Sequence, residues 1–359
     1  RLVGSEMCIR DRKNIFKLFS AMAISATVLT GCIEEIFPEN STATSEQIGA
    51  SASALEAAIN GLPSQMVQGY LVYGRQVRES DLAYPSLMLV QSELLGDIVA
   101  TEYGYDWWWR YSANYGMADN TYESFLPYFA LYKFIKSAND VIAVVDVTDP
   151  TISDEMRGYG SMAHAFRALD YYTLMVLFEP VENIYTDCSK ILGLTVPIVT
   201  EATTNDMAKN NPRATREEMM AFILSDLDKA EIGLADYTPT SKTFPDLSVV
   251  YGLKAKVYMW NGEYAKAAEY ARKAIDASGA TPMTAAQWNN SITGFNTATS
   301  SWMWYLHPTA SNMGNLANFI GHISNEAGWG YADLSKLQIA RSLYDEIADN
   351  DFRKYSFLD

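Results

Sequence analysis

A chain of 359 residues is long enough for one large domain or two ordinary ones with a substantial apolar core, which excludes the small disulfide-stapled scaffolds. Its 27 Lys and Arg against 43 Asp and Glu leave a net charge of −16, so it lacks the basic surface that meets nucleic-acid phosphates, and no nucleic acid is expected as a partner. Hydrophobic residues make up 48% and charged residues 19%, with an aromatic share of 13% that is high for a soluble domain.

Residues 1–12, RLVGSEMCIRDR, lack a starting Met and carry Glu6 and Asp11, which do not suit the basic head of a signal peptide. They read as a non-native flank. From Lys13 the order is basic, apolar, small: Lys13 and Lys17, an apolar run over 18–30, then Gly31-Cys32. That run falls short of the roughly 20 residues that span a bilayer and matches the core of a signal peptide at 13–31, with a buried N-terminal helix as the alternative. Leu29-Thr30-Gly31-Cys32 resembles the bacterial lipobox, which predicts cleavage before Cys32, lipidation at Cys32 and tethering to the membrane by acyl chains. Glu34-Glu35 resembles the surface-export signal of Bacteroidetes lipoproteins. The mature cysteines are then Cys32 and Cys188, so no internal disulfide forms, and Cys188 is expected to be buried. Residues 32–47, with Pro38 and several Ser, Thr and Glu, read as an acylated, flexible tether ahead of one domain over 48–359.

In that domain apolar residues recur mainly at three- and four-residue spacing, so the fold class is mainly α. Helices are predicted over 54–59, 84–99, 122–145, 156–177, 216–234, 248–260, 264–277 and 334–347. Ser153 before Asp154-Glu155 and Thr215 before Glu217-Glu218 carry the cap and first-turn acids of helix starts. The clearest local pattern is YGLKAKVYMWNGEYAKAAEYARKAI at 251–275, whose Ala255, Tyr258, Gly262, Tyr264, Ala267, Ala271 and Ala274 match a tetratricopeptide-like helical hairpin. Gly262 permits its turn. The 163–172 helix has similar small-residue spacing but no evident partner in sequence. One clear repeat is not a uniform array, so the expectation is a helical scaffold with irregular aromatic-rich loops.

Those loops are the candidate site. Tyr103, Tyr105, Trp107, Trp108, Trp109, Tyr111 and Tyr115 crowd the stretch before residue 122, and three consecutive Trp cannot all face one core. Trp302, Trp304, Tyr305, His307 and Trp329 form a second group in a Gly, Asn and Ser-rich stretch over 288–332. Flat aromatic faces suit the C–H faces of sugar rings, so Tyr105, Trp107, Trp108, Trp109, Tyr111, Trp302, Trp304 and Trp329 are the candidate ligand-binding residues. Plugging of the scaffold by single aromatics is the competing reading.

Catalytic readings have less behind them. His164, His307 and His322 are the only histidines and none belongs to an HExxH pair, while GxGxxG, P-loop and GxSxG motifs are absent. No metal or cofactor is expected, and His164, on a helix with Arg167, reads as a packed or surface residue. Paired-carboxylate glycoside hydrolysis stays open, with Asp97, Glu102 and Asp106 beside the Trp triplet as first candidates and solvated loop acids as the alternative.

Taken together, SANDVI at 137–142, Arg167-Ala168 with Tyr171-Tyr172, GLTVPIVTEAT at 193–203, RATREEMMAFILSDLDKA at 213–230, the 251–275 hairpin and SLYDEIADNDFRK at 342–354 resemble the SusD/RagB family of outer-membrane nutrient-binding lipoproteins. The resemblance implies a non-enzymatic, surface-exposed lipoprotein of the outer membrane that binds glycans and delivers them to a SusC-like TonB-dependent transporter. It also places the 107–109 triplet where the starch-binding prototype carries a sugar-stacking Trp. Two departures stand out. LMVLFEPVEN follows Tyr172 where relatives carry a Gly-Asp-Val-Pro-like turn, and relatives continue well past the Asp351-Phe352-Arg353 stretch, which implies a fragment.

Overall fold

The computed structural model of the chain describes residues 45–69, 84, 87–88, 98–100, 122–184, 186–294, 297–309 and 337–357. In chain order these form α1 (Ser45–Gly49), α2 (Ala52–Met66), β1 (Ile98–Ala100), α3 (Tyr122–Ile142), α4 (Asp154–Phe178), α5 (Asn205–Lys209), α6 (Arg216–Leu234), α7 (Leu247–Trp260), α8 (Tyr264–Ser278), α9 (Ala285–Trp288), β2 (Leu337–Ile339), α10 (Arg341–Glu346) and a 3-10 turn at Phe352–Phe357. All lie in one unit, Ala43–Asp359. The mainly helical class follows the reading from sequence, and α1 opens inside the stretch read as tether.

The helix starts obey their local chemistry. The Ser153 hydroxyl accepts from the Met156 amide at 3.2 Å, with Asp154 and Glu155 against the positive end of α4. Thr215 and Glu218 close a reciprocal capping box at the head of α6.

Helix α4 is the centre of the fold. Every residue from Gly158 to Met175 is buried, and a helix without a polar face must be surrounded by others. It packs against α3 and α6 and touches α2. Its small residues bring α6 close: the Gly233 amide donates to the Ser161 hydroxyl at 3.2 Å, and that hydroxyl donates to the Lys229 carbonyl. The 163–172 stretch, which showed no partner in sequence, therefore has α6 along one side and α3 along another. Its partners are helices distant in the chain, which periodicity cannot reveal.

The hairpin α7–α8 forms as expected. Gly262 turns the chain at φ +76, a left-handed conformation that costs glycine nothing. Ala267 and Ala274 are the buried contacts of α8, and Tyr258 stacks on Tyr270 at 5.4 Å with rings 20° apart. Lys254, buried, reaches Asp228 at 2.7 Å and also Glu231, tying α7 to α6. Cys188 is buried as expected.

Two predicted helices are corrected. Within 84–99, Tyr84, Leu87 and Met88 are helical, but Ile98–Ala100 is a strand. Within 334–347, Leu337–Ile339 is its antiparallel partner, with Ile98 opposite Ile339, and only Arg341–Glu346 is helical. Apolar spacing carried both readings through these short runs, whereas a strand here exists only because a segment far away in sequence supplies its hydrogen bonds.

Candidate functional site

Residues 299–309 form a strap without regular secondary structure over 303–309. Met303, Trp304 and Leu306 pack on the core. The ring of Trp304 meets Phe166 of α4 edge-on at 5.5 Å, and its indole N–H donates to the Thr243 carbonyl at 3.0 Å. Trp302, Tyr305 and His307 form a run of ring contacts instead. Trp302 and Tyr305 make an edge-to-face pair at 5.6 Å and 71°, and Tyr305 meets His307 at 6.4 Å and 61°. Trp302 and Tyr305 are half-buried and His307 is exposed. The result is a short ridge of three rings, each turned relative to the next, over an apolar base.

The strap rests on the connection between α6 and α7. The Tyr305 amide donates to the Lys242 carbonyl at 3.1 Å, and the Lys242 ammonium donates back to the Trp302 carbonyl. Of the predicted binding residues, Trp302 joins the ridge while Trp304 supports it from below. Tyr105, Trp107, Trp108, Trp109, Tyr111 and Trp329 lie outside the described residues, as do Cys32 and the carboxylates Asp97, Glu102 and Asp106. Lys242 and Thr243 carried no signal in sequence, because their part is played by a backbone carbonyl and a surface ammonium.

A dense cluster of ionisable side chains lies in the core of the described residues. Arg167 holds Asp226 through two 2.8 Å bonds, Nε to Oδ2 and Nη2 to Oδ1, and His164 Nδ1 lies 2.7 Å from Asp226 Oδ1. Arg167 Nη1 donates to Asn139 Oδ1 and to Glu201 Oε2, both at 2.6 Å. Asn139 in turn donates to the Val199 carbonyl at 3.2 Å, and the Tyr171 hydroxyl donates to the same carbonyl at 2.9 Å. Burial opposes the charged form of Asp226, but the bonds from Arg167 and His164 outweigh it and hold the carboxyl below the ordinary range. Glu201 is held down likewise, by Arg167 against partial burial. Despite its His–Asp pair this cluster is not a reaction centre: Arg167 and Asp226 are each 1% exposed and His164 2%, and Arg167 occupies both oxygens of Asp226. It fastens the segment 195–201 to the bundle. His164 is thus packed in the core.

Among the described residues, no group of three or more His, Cys, Asp or Glu could hold a metal ion. No described helix is long and apolar enough to cross a membrane.

The family model for SusD-like proteins, described as starch-binding and associating with the outer membrane, matches residues 64–259. Among solved structures, a SusD-like carbohydrate-binding protein from Bacteroides vulgatus superposes with a TM-score of 0.64 at 18% identity, over 84% of this chain and 60% of its own. A second Bacteroides vulgatus structure, described as a putative sugar binding protein, gives 0.58 at 22% identity, covering 82% and 61%. A SusD superfamily protein from Bacteroides fragilis gives 0.56 at 18% identity, covering 79% and 63%. At these identities the likeness establishes the fold. This chain spans about three fifths of the length of each of these three structures. No curated protein matches it in sequence.

Proposed function

Since this chain belongs to the SusD-like family, described as starch-binding and associating with the outer membrane, we propose that it captures oligosaccharide or polysaccharide without cleaving it and passes it to a SusC-like TonB-dependent transporter. The observation that carries the reading on this chain is the ridge Trp302–Tyr305–His307, built outside any helix on a base of core-packed neighbours. Sugar rings stack on such faces, each contributing about 0.5–1.5 kcal/mol, so one sugar binds weakly and a chain engaging several rings binds better. The triplet Trp107, Trp108 and Trp109, with Tyr105, Tyr111 and Trp329, extends the same chemistry. Acylation at Cys32 would keep the domain at the outer membrane, with the following residues as its tether.

The test is electrophoresis of the chain through native gels containing amylopectin, laminarin, xylan or mannan, with release of reducing sugar assayed in parallel. Retardation by one polysaccharide without sugar release supports capture. Sugar release would move the reading to a glycoside hydrolase, and free migration through every gel would sink carbohydrate binding for this chain. For delivery, a TonB-dependent barrel should co-purify from native outer membranes; a lipoprotein that elutes alone argues against that partner.

A further inference from the structure

The ridge has neither a helix nor a sheet to set the angles between its rings. What holds it is a bracket made by two residues of the connection between α6 and α7. Lys242 uses both of its polar ends, its carbonyl accepting from the Tyr305 amide at 3.1 Å and its ammonium donating to the Trp302 carbonyl. Between those two points Trp304 drives inward, its ring edge on Phe166 and its indole N–H on the Thr243 carbonyl at 3.0 Å. The backbone is therefore gripped two residues before the inward Trp and one residue after it, and this fixes which way Trp302 and Tyr305 point.

We propose that Lys242 and Trp304 are positioning residues for carbohydrate binding: neither meets the sugar, and both set affinity by holding Trp302 and Tyr305 in place. This rests on the ridge being the carbohydrate site. Weak stacking contacts cannot absorb the cost of ordering a loose strap, so affinity depends on the strap being ordered beforehand. Lys242 is exposed, so replacing its side chain leaves the core intact.

Two measurements on the full chain test this. The first needs no ligand: hydrogen exchange by mass spectrometry on the peptide covering 299–309. Lys242→Met and Trp304→Phe should speed exchange in that peptide and leave α4, α6 and α7 unchanged, while Lys242→Arg, which keeps a cation within reach of the Trp302 carbonyl, should restore protection. The second is affinity electrophoresis in whichever of the amylopectin, laminarin, xylan and mannan gels retards the unsubstituted chain most. Lys242→Met should weaken retention about three- to tenfold, and it should cost clearly less on top of Trp302→Ala than on its own, since one of the two residues through which Lys242 acts has then been removed. Unchanged exchange in the strap overturns the proposal, as do losses of binding that simply add. If no gel retards the unsubstituted chain, the carbohydrate reading fails by itself and the exchange data still decide whether Lys242 and Trp304 order the strap.

Discussion

Arg167 and Asp226 face each other across α4 and α6 as a two-bond pair, both at 1% exposure. Removing the cation alone would leave a carboxylate buried without its main partner, which costs about 3–5 kcal/mol. Arg167→Met should therefore lower the unfolding free energy by about that much in urea denaturation, or prevent folding. A loss under about 1 kcal/mol would mean that water or His164 replaces the guanidinium.

The same cluster sets the response to acid. Asp226 and Glu201 have folded-state pKa values lowered from the usual 3.8 and 4.5. A lowered value means stability that is present in full above the unfolded pKa and is lost as pH falls through the folded one. The urea midpoint should hold from pH 7 to about 5 and drop below about 4. Glu201→Gln, whose carboxylate is partly exposed, should flatten the acid side only slightly.

Asp170 has the opposite sign. It is buried in α4, its Oδ1 atom has no hydrogen-bond partner, and burial raises its pKa well above 3.8. A raised carboxyl pKa means stability that declines as pH climbs from the unfolded value through the folded one. Asp170→Asn should raise the urea midpoint at pH 8 and change it much less at pH 4. A variant destabilised equally at both would assign the carboxyl a structural bond instead.

Close approach at Gly233 can be tested against an open glycine. A Cβ there would lie 2.4 Å from the Ser161 hydroxyl and 2.7 Å from the Arg157 carbonyl, whereas at Gly252 in α7 nothing lies within 4 Å. Gly233→Ala should cost about 1–3 kcal/mol by overpacking α4 against α6. Gly252→Ala should gain about 0.5–1 kcal/mol, because alanine loses less backbone entropy in a helix. Thermal melts of the two variants would show shifts of opposite sign.

For binding, Trp302→Ala and Tyr305→Ala should each weaken retention in the retarding gel while the melting temperature stays near that of the unsubstituted chain. Replacing Trp107, Trp108 and Trp109 together should weaken it as well. Retention unchanged after all three are replaced would remove the triplet from the site.

Four of the six motifs behind the family resemblance turn out to be parts of one network. SANDVI supplies Asn139, the Arg167-Ala168 stretch supplies Arg167, GLTVPIVTEAT supplies Val199 and Glu201, and RATREEMMAFILSDLDKA supplies Asp226. In sequence they read as separate stretches. His164 could be read no further than packed or exposed, because its partner Asp226 lies 62 residues on.

What the sequence determined by itself is what short-range chemistry decides. The caps at Ser153 and Thr215, the helical spacing of the core positions and the turn at Gly262 depend on neighbours within a few residues, and all are legible there. Tertiary structure alone decided the rest. The strand pair 98–100 and 337–339 exists by hydrogen bonds between distant segments. Likewise, Trp304 turns inward and Tyr305 joins the ridge because Lys242 and Thr243, some sixty residues earlier, fix the register of a strap that has no period of its own. Two adjacent aromatics are equivalent in sequence, and only the surface that receives them makes one a support and the other a face of the ridge.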